Sequence, residues 1–228
     1  PSQIEVRPAG TADREGIVAL NSVVHEPNVG ELARQLMTLH PTMRTEDFWV
    51  GATPDGQVVS SQCLIPGHLR VGQVILPYCE LGLVGTLEPW RGQGLASAMM
   101  AGCHADLHRR GALLTLIAGI PYFYRRYGYE YAIPLDAHHL LELDQAPAEA
   151  DGFAFRLAGA ADAERLTCWR DETVAAHDLT SLRSPAIWHY QLADSAGSGY
   201  EAETWLVSRG DETLGYARVF FHGFGTGL

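Results

Sequence analysis

The chain has 228 residues, 46% hydrophobic and 19% charged, with 16 basic against 27 acidic side chains and a formal net charge of -11. This is ordinary globular composition; it excludes disorder and collagen-like repetition and argues against nucleic acid as the main partner. Every one of the 16 basic residues is arginine, so a pyridoxal phosphate Schiff base and a Walker phosphate loop, both of which need lysine, are excluded as well.

In chain order, a strand is predicted at 3–8, then a helix opened by Thr11 that carries Ile17, Val18 and Leu20. Residues 24–46 read as helix and loop. Strands follow at 47–53, 57–65, 68–76 and 78–87, the last leading into PWRGQGLA at 89–96. From Gly94 to Arg110 apolar and small residues recur at helical spacing, Gly111 closes the helix, and ALLTLIA at 112–118 has the character of a short buried strand. A short helix at 121–127 and two strands at 129–133 and 137–144 complete this part.

The opening then recurs. Residues 6–15 (VRPAGTADRE) and 155–164 (FRLAGAADAE) match at six of ten positions with an offset of 149. The hairpin that begins Trp49-Val50 and turns at Asp55-Gly56 has a counterpart that begins Trp205-Leu206 and turns near Gly210-Asp211. Two related α/β units are therefore expected, at 1–147 and 148–228, joined by the linker-like QAPAEADG at 145–152. The second reads as a partial, non-catalytic copy.

The four cysteines, Cys63, Cys79, Cys103 and Cys168, form no CxxC pair, no apolar segment is long enough to cross a bilayer, and the first residues carry no secretory pattern. A reduced cytoplasm is the expected setting. His104 and His108 stand four apart on the predicted helix, but no glutamate completes HExxH, so no metal is expected.

The chemical signal is Arg91-Gly92-Gln93-Gly94-Leu95-Ala96, where a strand ends and a long helix begins. The first N–H groups of a helix have no internal partner, glycines clear the approach, and the helix dipole adds positive character, so a phosphate or diphosphate fits there. A dinucleotide fingerprint would need a glycine or alanine at Ser97 and an acid about twenty residues on, and neither is present. The R/QxxGxG/A turn of acyl-coenzyme A transferases is satisfied throughout.

With that turn, and with FYRRYGY at 123–129 similar to the FYxxxGF segment, the first unit resembles the GCN5-related N-acetyltransferase (GNAT) family. The resemblance implies a mixed, mostly antiparallel sheet flanked by helices, followed here by a partial second GNAT-like unit. The tandem arrangement is similar to the enhanced intracellular survival acetyltransferases, in which a third, lipid-carrier-like domain follows. The family usually has a proline three residues before the arginine of the turn, where this chain has Glu88 and then Pro89.

Carried onto this sequence, the resemblance implies acetyl-coenzyme A as co-substrate. The strand through Val84, Gly85 and Thr86 would bind the pantetheine arm and stabilise the oxyanion, Arg91 to Ala96 would hold the diphosphate, and Gly119 and Ile120 would border the thioester. Tyr124 would give its phenolic proton to the leaving thiolate, since an ordinary phenol pKa of about 10 keeps that proton at neutral pH. Glu80 would accept the ammonium proton if burial raises its pKa. His25 and Glu26 are expected acceptor contacts, and Arg109, Arg110, Arg125 and Arg126 either meet the 3′-phosphate or face water. The acceptor is a primary amine of a small, cationic molecule, a preference consistent with the net charge. The competing reading is a non-catalytic acyl-coenzyme A binding module whose second unit builds a homo-oligomer interface.

Overall fold

The computed structural model describes residues 4–120, 122–133 and 152–220, which fall into two compact units: one of residues up to 133 together with 177–182, the other of the remaining described residues. Among the described residues no helix is long and apolar enough to cross a membrane.

The first unit opens with β1 (Glu5–Pro8), a single 3-10 turn (Thr11–Asp13) and α1 (Arg14–Val24). Asp13 organises this entry: its carboxylate accepts the Gly10 N–H at 2.7 Å and holds the Arg7 guanidinium through both oxygens at 2.7 and 3.0 Å. One side chain thus satisfies an orphan donor at the helix start and ties the helix to the strand before it. Pro27 at the first position of α2 (Pro27–Thr38) supplies a preset φ where no N–H is needed. Ile17, Leu20 and Asn21 of α1 and Leu32, Ala33, Leu36 and Met37 of α2 are buried, at the three- and four-residue spacings of a helix that packs by one side.

The sheet continues through β2 (Phe48–Ala52), β3 (Val58–Val71) and β4 (Val74–Thr86), which is followed by α3 (Leu95–Arg109) and β5 (Leu114–Leu116). Strand order is β1-β2-β3-β4-β5, antiparallel except for the parallel β4–β5 pair. Alternation along the strands divides the core in two. Phe48, Val50 and Cys63 pack with α1 and α2, whereas Trp49, Leu64, Cys79 and Leu81 pack with Met99, Met100, Cys103 and Leu107 of α3. The fold is the helix-flanked, mostly antiparallel sheet expected from the sequence.

Two expectations are corrected. The strands read at 57–65, 68–76 and 78–87 are two long ones that meet at a turn beside Gly72. Pro66 and Pro77, which suggest breaks, are accommodated because their missing N–H groups point away from the β3–β4 ladder. The His68 carbonyl accepts the Leu182 N–H at 2.8 Å and the Gly72 N–H donates to Asp178 at 2.7 Å, so alternate residues from 66 onward point away from β4. Pro66 thereby falls in the gap after Cys63, where β2 has ended, and before Leu69, where another strand begins. Residues 129–133 form no strand; Tyr129 and Tyr131 instead direct their hydroxyls to Thr115 and to the Tyr122 N–H. The strand expected at 137–144 lies outside the described residues.

The second unit contains β6 (Phe153–Leu157), a 3-10 turn, α4 (Ala163–Val174), α5 (Pro185–His189), β8 (Glu203–Arg209) and β9 (Glu212–Val219). Between α4 and α5 the chain contributes β7 (Leu179–Ser181) to the first unit, antiparallel to Leu69–Val71 of β3. The sheet of the second unit has the order β6-β8-β9. Its opening repeats that of the first at the level of single bonds. Arg156 holds Asp162 at 2.8 and 2.7 Å, and Asp162 accepts the Gly159 N–H at 3.0 Å, each residue 149 places after Arg7, Asp13 and Gly10. The hairpins correspond too, with Pro8 opposite Trp49 and Leu157 opposite Trp205.

The Arg156 guanidinium pushes the Asp162 carboxyl down to about 2. A depressed native pKa stabilises above the unfolded value of about 4 and ceases to do so as pH falls through the native value. Asp162→Asn is expected to cost about 1–2 kcal/mol at pH 7, and the gap from wild type in urea midpoint should close between pH 4 and 2. A gap that stays constant over that range contradicts the assignment.

Candidate active site

The site is built around a fault in β4. Cys63 lies opposite Gly82 but Ser61 lies opposite Gly85, so Leu83 and Val84 together face Gln62, and Leu83 takes a φ of 51°. This is a bulge, and it changes which residues point where. Before it, Pro77 offers its carbonyl to Leu113 on the β5 side at 2.9 Å, and Tyr78–Glu80 pair with Leu114–Leu116. After it, the Leu87 N–H donates to Val59 at 2.9 Å, so Gly85 and Leu87 face β3, and Val84 and Thr86 face the other edge. No described strand pairs with that edge beyond Glu80. The backbone groups of Val84 and Thr86 are thus turned into an opening between β4 and β5.

The glycine turn adjoins this opening. Gly92 and Gly94 have φ of 75° and 79°, a region that side-chain-bearing residues avoid, and a methyl group on either would meet nothing within 4 Å. Gly94 caps α3 without any side-chain hydrogen bond, which leaves the N–H groups of the first turn, at Leu95 and Ala96, unclaimed by a capping side chain. Arg91 links turn and strand: its Nε donates to the Thr86 carbonyl at 3.1 Å. Ser60 secures the same segment from behind, donating to the Gly85 carbonyl at 2.8 Å and lying 2.6 Å from the Thr86 hydroxyl.

Tyr124 belongs to the α3 face of the sheet, in the cluster with Leu81, Met99 and Cys103. Its ring is 8% exposed and meets Phe123 and Tyr129 edge-on, with centroids at 4.9 and 5.9 Å. Burial first, then the neighbouring Tyr129 and Tyr127, hold its phenol above the usual range, so it is protonated at neutral pH. Gly119 makes room for it, since a Cβ there would lie 2.4 Å from Tyr124 Cε2. Ile120 is exposed. The Tyr127 hydroxyl is 2.8 Å from that of Ser97 in the first turn of α3, so the tyrosine segment and the glycine turn are fastened together.

On the α1 face, Glu80 alternates with Cys79 and Leu81, and burial raises its carboxyl. His25 ends α1 and Glu26 precedes α2. The His25 ring reaches β4: a Cβ on Gly85 would meet Nε2 at 3.4 Å. Elsewhere on this unit, Arg109 and Arg110 pair with Asp106, Arg110 also pairs with Asp47, Arg125 pairs with Glu130, and Arg126 lies over the Phe123 ring at 4.1 Å. Among the described residues no group of three metal-ligating side chains is assembled. The bulge, the Ser60 hydroxyl and the Ser97–Tyr127 link do not emerge from the motif reading. Glycines at 82 and 85 within one strand are the sequence trace of the first.

With this geometry in hand, the comparisons with known proteins agree. The family model described as an acetyltransferase (GNAT) domain matches residues 5–132, and the chain belongs to the GNAT acetyltransferase family. No curated protein matches it. Solved structures share the fold at low identity. A conserved protein of unknown function from Enterococcus faecalis V583, titled a probable N-acyltransferase, aligns with TM-score 0.71 and 19% identity over 95% of this chain and 55% of its own. A GCN5-related N-acetyltransferase from Anabaena variabilis gives 0.69 and 16% over 95% and 54%. Eis1 from Mycobacterium abscessus gives 0.59 and 19% over 95% and 52%. The present chain spans about half the length of these proteins.

Because the Gly119 contact is with an aromatic ring wedged among others, Gly119→Ala is expected to lower stability by about 1–3 kcal/mol through overpacking, read as a shift in thermal midpoint. An unchanged midpoint means that Tyr124 is not held by this contact.

Proposed function

We propose that the first unit, within residues 1–147, is an acetyl-coenzyme A dependent N-acetyltransferase acting on a primary amine of a small cationic acceptor. The second, within 148–228, is read as a non-catalytic repeat; the fold shared with Eis1 over 95% of the chain supports a tandem reading. The observation that carries the proposal is the open glycine turn at the start of α3, fastened to a strand whose backbone groups face an unpaired edge.

The first N–H groups of α3, with Arg91, Gly92, Gln93 and Gly94 before them, suit a diphosphate, and the alternating groups of Val84 and Thr86 suit the amides of a pantetheine arm. The Val84 N–H can then stabilise the negative charge that develops on the thioester oxygen during attack. Tyr124, neutral and buried on the α3 face, gives its proton to the departing thiolate and regains one from solvent. Glu80 meets the ammonium from the opposite face, as a counter-charge and as a candidate for its proton, with His25 and Glu26 bounding the approach. Gly119 and Ile120 border the reacting carbon. Acid and base thus work from opposite faces of one strand, and the amine and the thiol need not cross.

Tyr124→Phe is expected to reduce kcat about 100-fold in a thiol-release assay with acetyl-coenzyme A and a panel of amines (spermidine, kanamycin, a peptide with N-terminal glycine). Calorimetric affinity for acetyl-coenzyme A should stay within about twofold, because the phenol acts on the leaving group rather than on binding. Gly94→Val should have the reverse signature, with affinity lost about tenfold or more. Uptake of the carrier without turnover on any amine would favour a binding module instead.

A further inference from the structure

Resting on that acetyltransferase reading, we infer that His25 is the group that takes the proton from the attacking amine, with Glu80 retained as the counter-charge that draws the ammonium in. Three observations converge. The ring lies against β4 at Gly85, one residue beyond Val84, and the absence of a side chain there is what admits Nε2 to within 3.4 Å of a Cβ position. Gly85 faces Leu20 and Val24 of α1 on the same side, the side opposite Tyr124. The imidazole has no hydrogen-bond partner among the described residues, so a lone pair is uncommitted.

Reach decides between the two candidates. Glu80 stands three residues before Leu83, and at about 3.3 Å per residue its Cα is roughly 10 Å from the bulge, a gap that a glutamate side chain covers only in part. His25 is beside the bulge already. The residue is exposed at the end of α1, and desolvation where its ring lies on β4 lowers its pKa below the ordinary imidazole value, with neither Glu80 on that face of β4 nor the adjacent Glu26 raising it. It is therefore neutral at pH 7 and able to accept.

The step balances without a further reactant. The ammonium loses one proton to His25, the free amine forms the C–N bond, and the second nitrogen proton leaves through the same imidazole once it has discharged to solvent. The C–S bond breaks as Tyr124 protonates sulfur, and Tyr124 recovers a proton from solvent. One proton is released per amide formed.

The test is the pH profile of kcat/KM for spermidine and kanamycin, measured by thiol release with the full chain. Wild type should show an acid limb with a midpoint below 6.5. His25→Asn should lower kcat about 100-fold at pH 7.5 and remove that limb, with calorimetric affinity for acetyl-coenzyme A within about twofold. His25→Ala should recover part of the loss on addition of imidazole, which a purely structural role would not allow. Glu80→Gln should raise the KM for the amine and keep the limb. The inference is overturned if His25→Asn retains rate and limb, or if the limb disappears with Glu80→Gln; the acetyltransferase reading survives either result. Absence of turnover in wild type overturns both.

Discussion

A strand in the middle of a sheet has to satisfy backbone groups on two edges at once, and β4 does so only as far as Glu80. Beyond that residue β5 no longer pairs with it, and the bulge at Leu83 reassigns which residues serve β3 and which face outward. Without the extra residue, Val84 and Thr86 would be turned toward β3 and Gly85 toward the opening. Burying a backbone polar group without a partner costs about 1–3 kcal/mol, so groups directed to an unpaired edge favour a ligand that can bond to them. Much of the surrounding polar structure bears on this segment: Ser60 behind it, Arg91 beside it, and the Ser97–Tyr127 contact that joins the two walls of the opening.

The division of the core follows from the same strand. Glu80, Gly82, Leu83 and Gly85 face α1 and α2, while Cys79, Leu81 and Val84 face α3. Leu83 and Val84 are neighbours that point to opposite faces after a break in alternation, one packing with the α1 and α2 cluster and the other with the α3 cluster. Burial pushes the Cys103 thiol up to about 12 and raises Cys63 and Cys79, which makes them poor nucleophiles at neutral pH.

Local signals in the sequence were reliable where local chemistry decides. Gly94 and Gly111 mark helix ends by their dihedral requirements, and the PWRGQGLA turn stands where motif and backbone agree, whereas the helix expected to open at Thr11 begins at Arg14 with Asp13 before it. The internal repeat was legible because Arg, Gly and Asp recur with their bond pattern intact. What escaped depends on distant partners. Pro66 and Pro77 look like strand breaks until the edges they face are known, and 129–133 looks like a strand until its aromatic side chains are seen to bond elsewhere. The bulge left a glycine signature, but its consequence for which groups face the opening depends on register against β3, a relation between residues some twenty positions apart. The proximity of His25 to Gly85 is of the same kind, since two elements sixty residues apart must pack before it exists.

The contribution of β7 to the first unit has a bearing on how the chain is made. Among the described residues the edge of β3 at Leu69–Val71 is paired by Leu179–Ser181, so a ribosome must add nearly fifty residues after Ile133 before that pairing can form. At translation speeds of roughly 5–20 residues per second the delay is several seconds. During that interval a nascent chain would carry an open strand edge next to exposed Val71, Val74 and Ile75, a surface suited to chaperone capture or to pairing with another polypeptide.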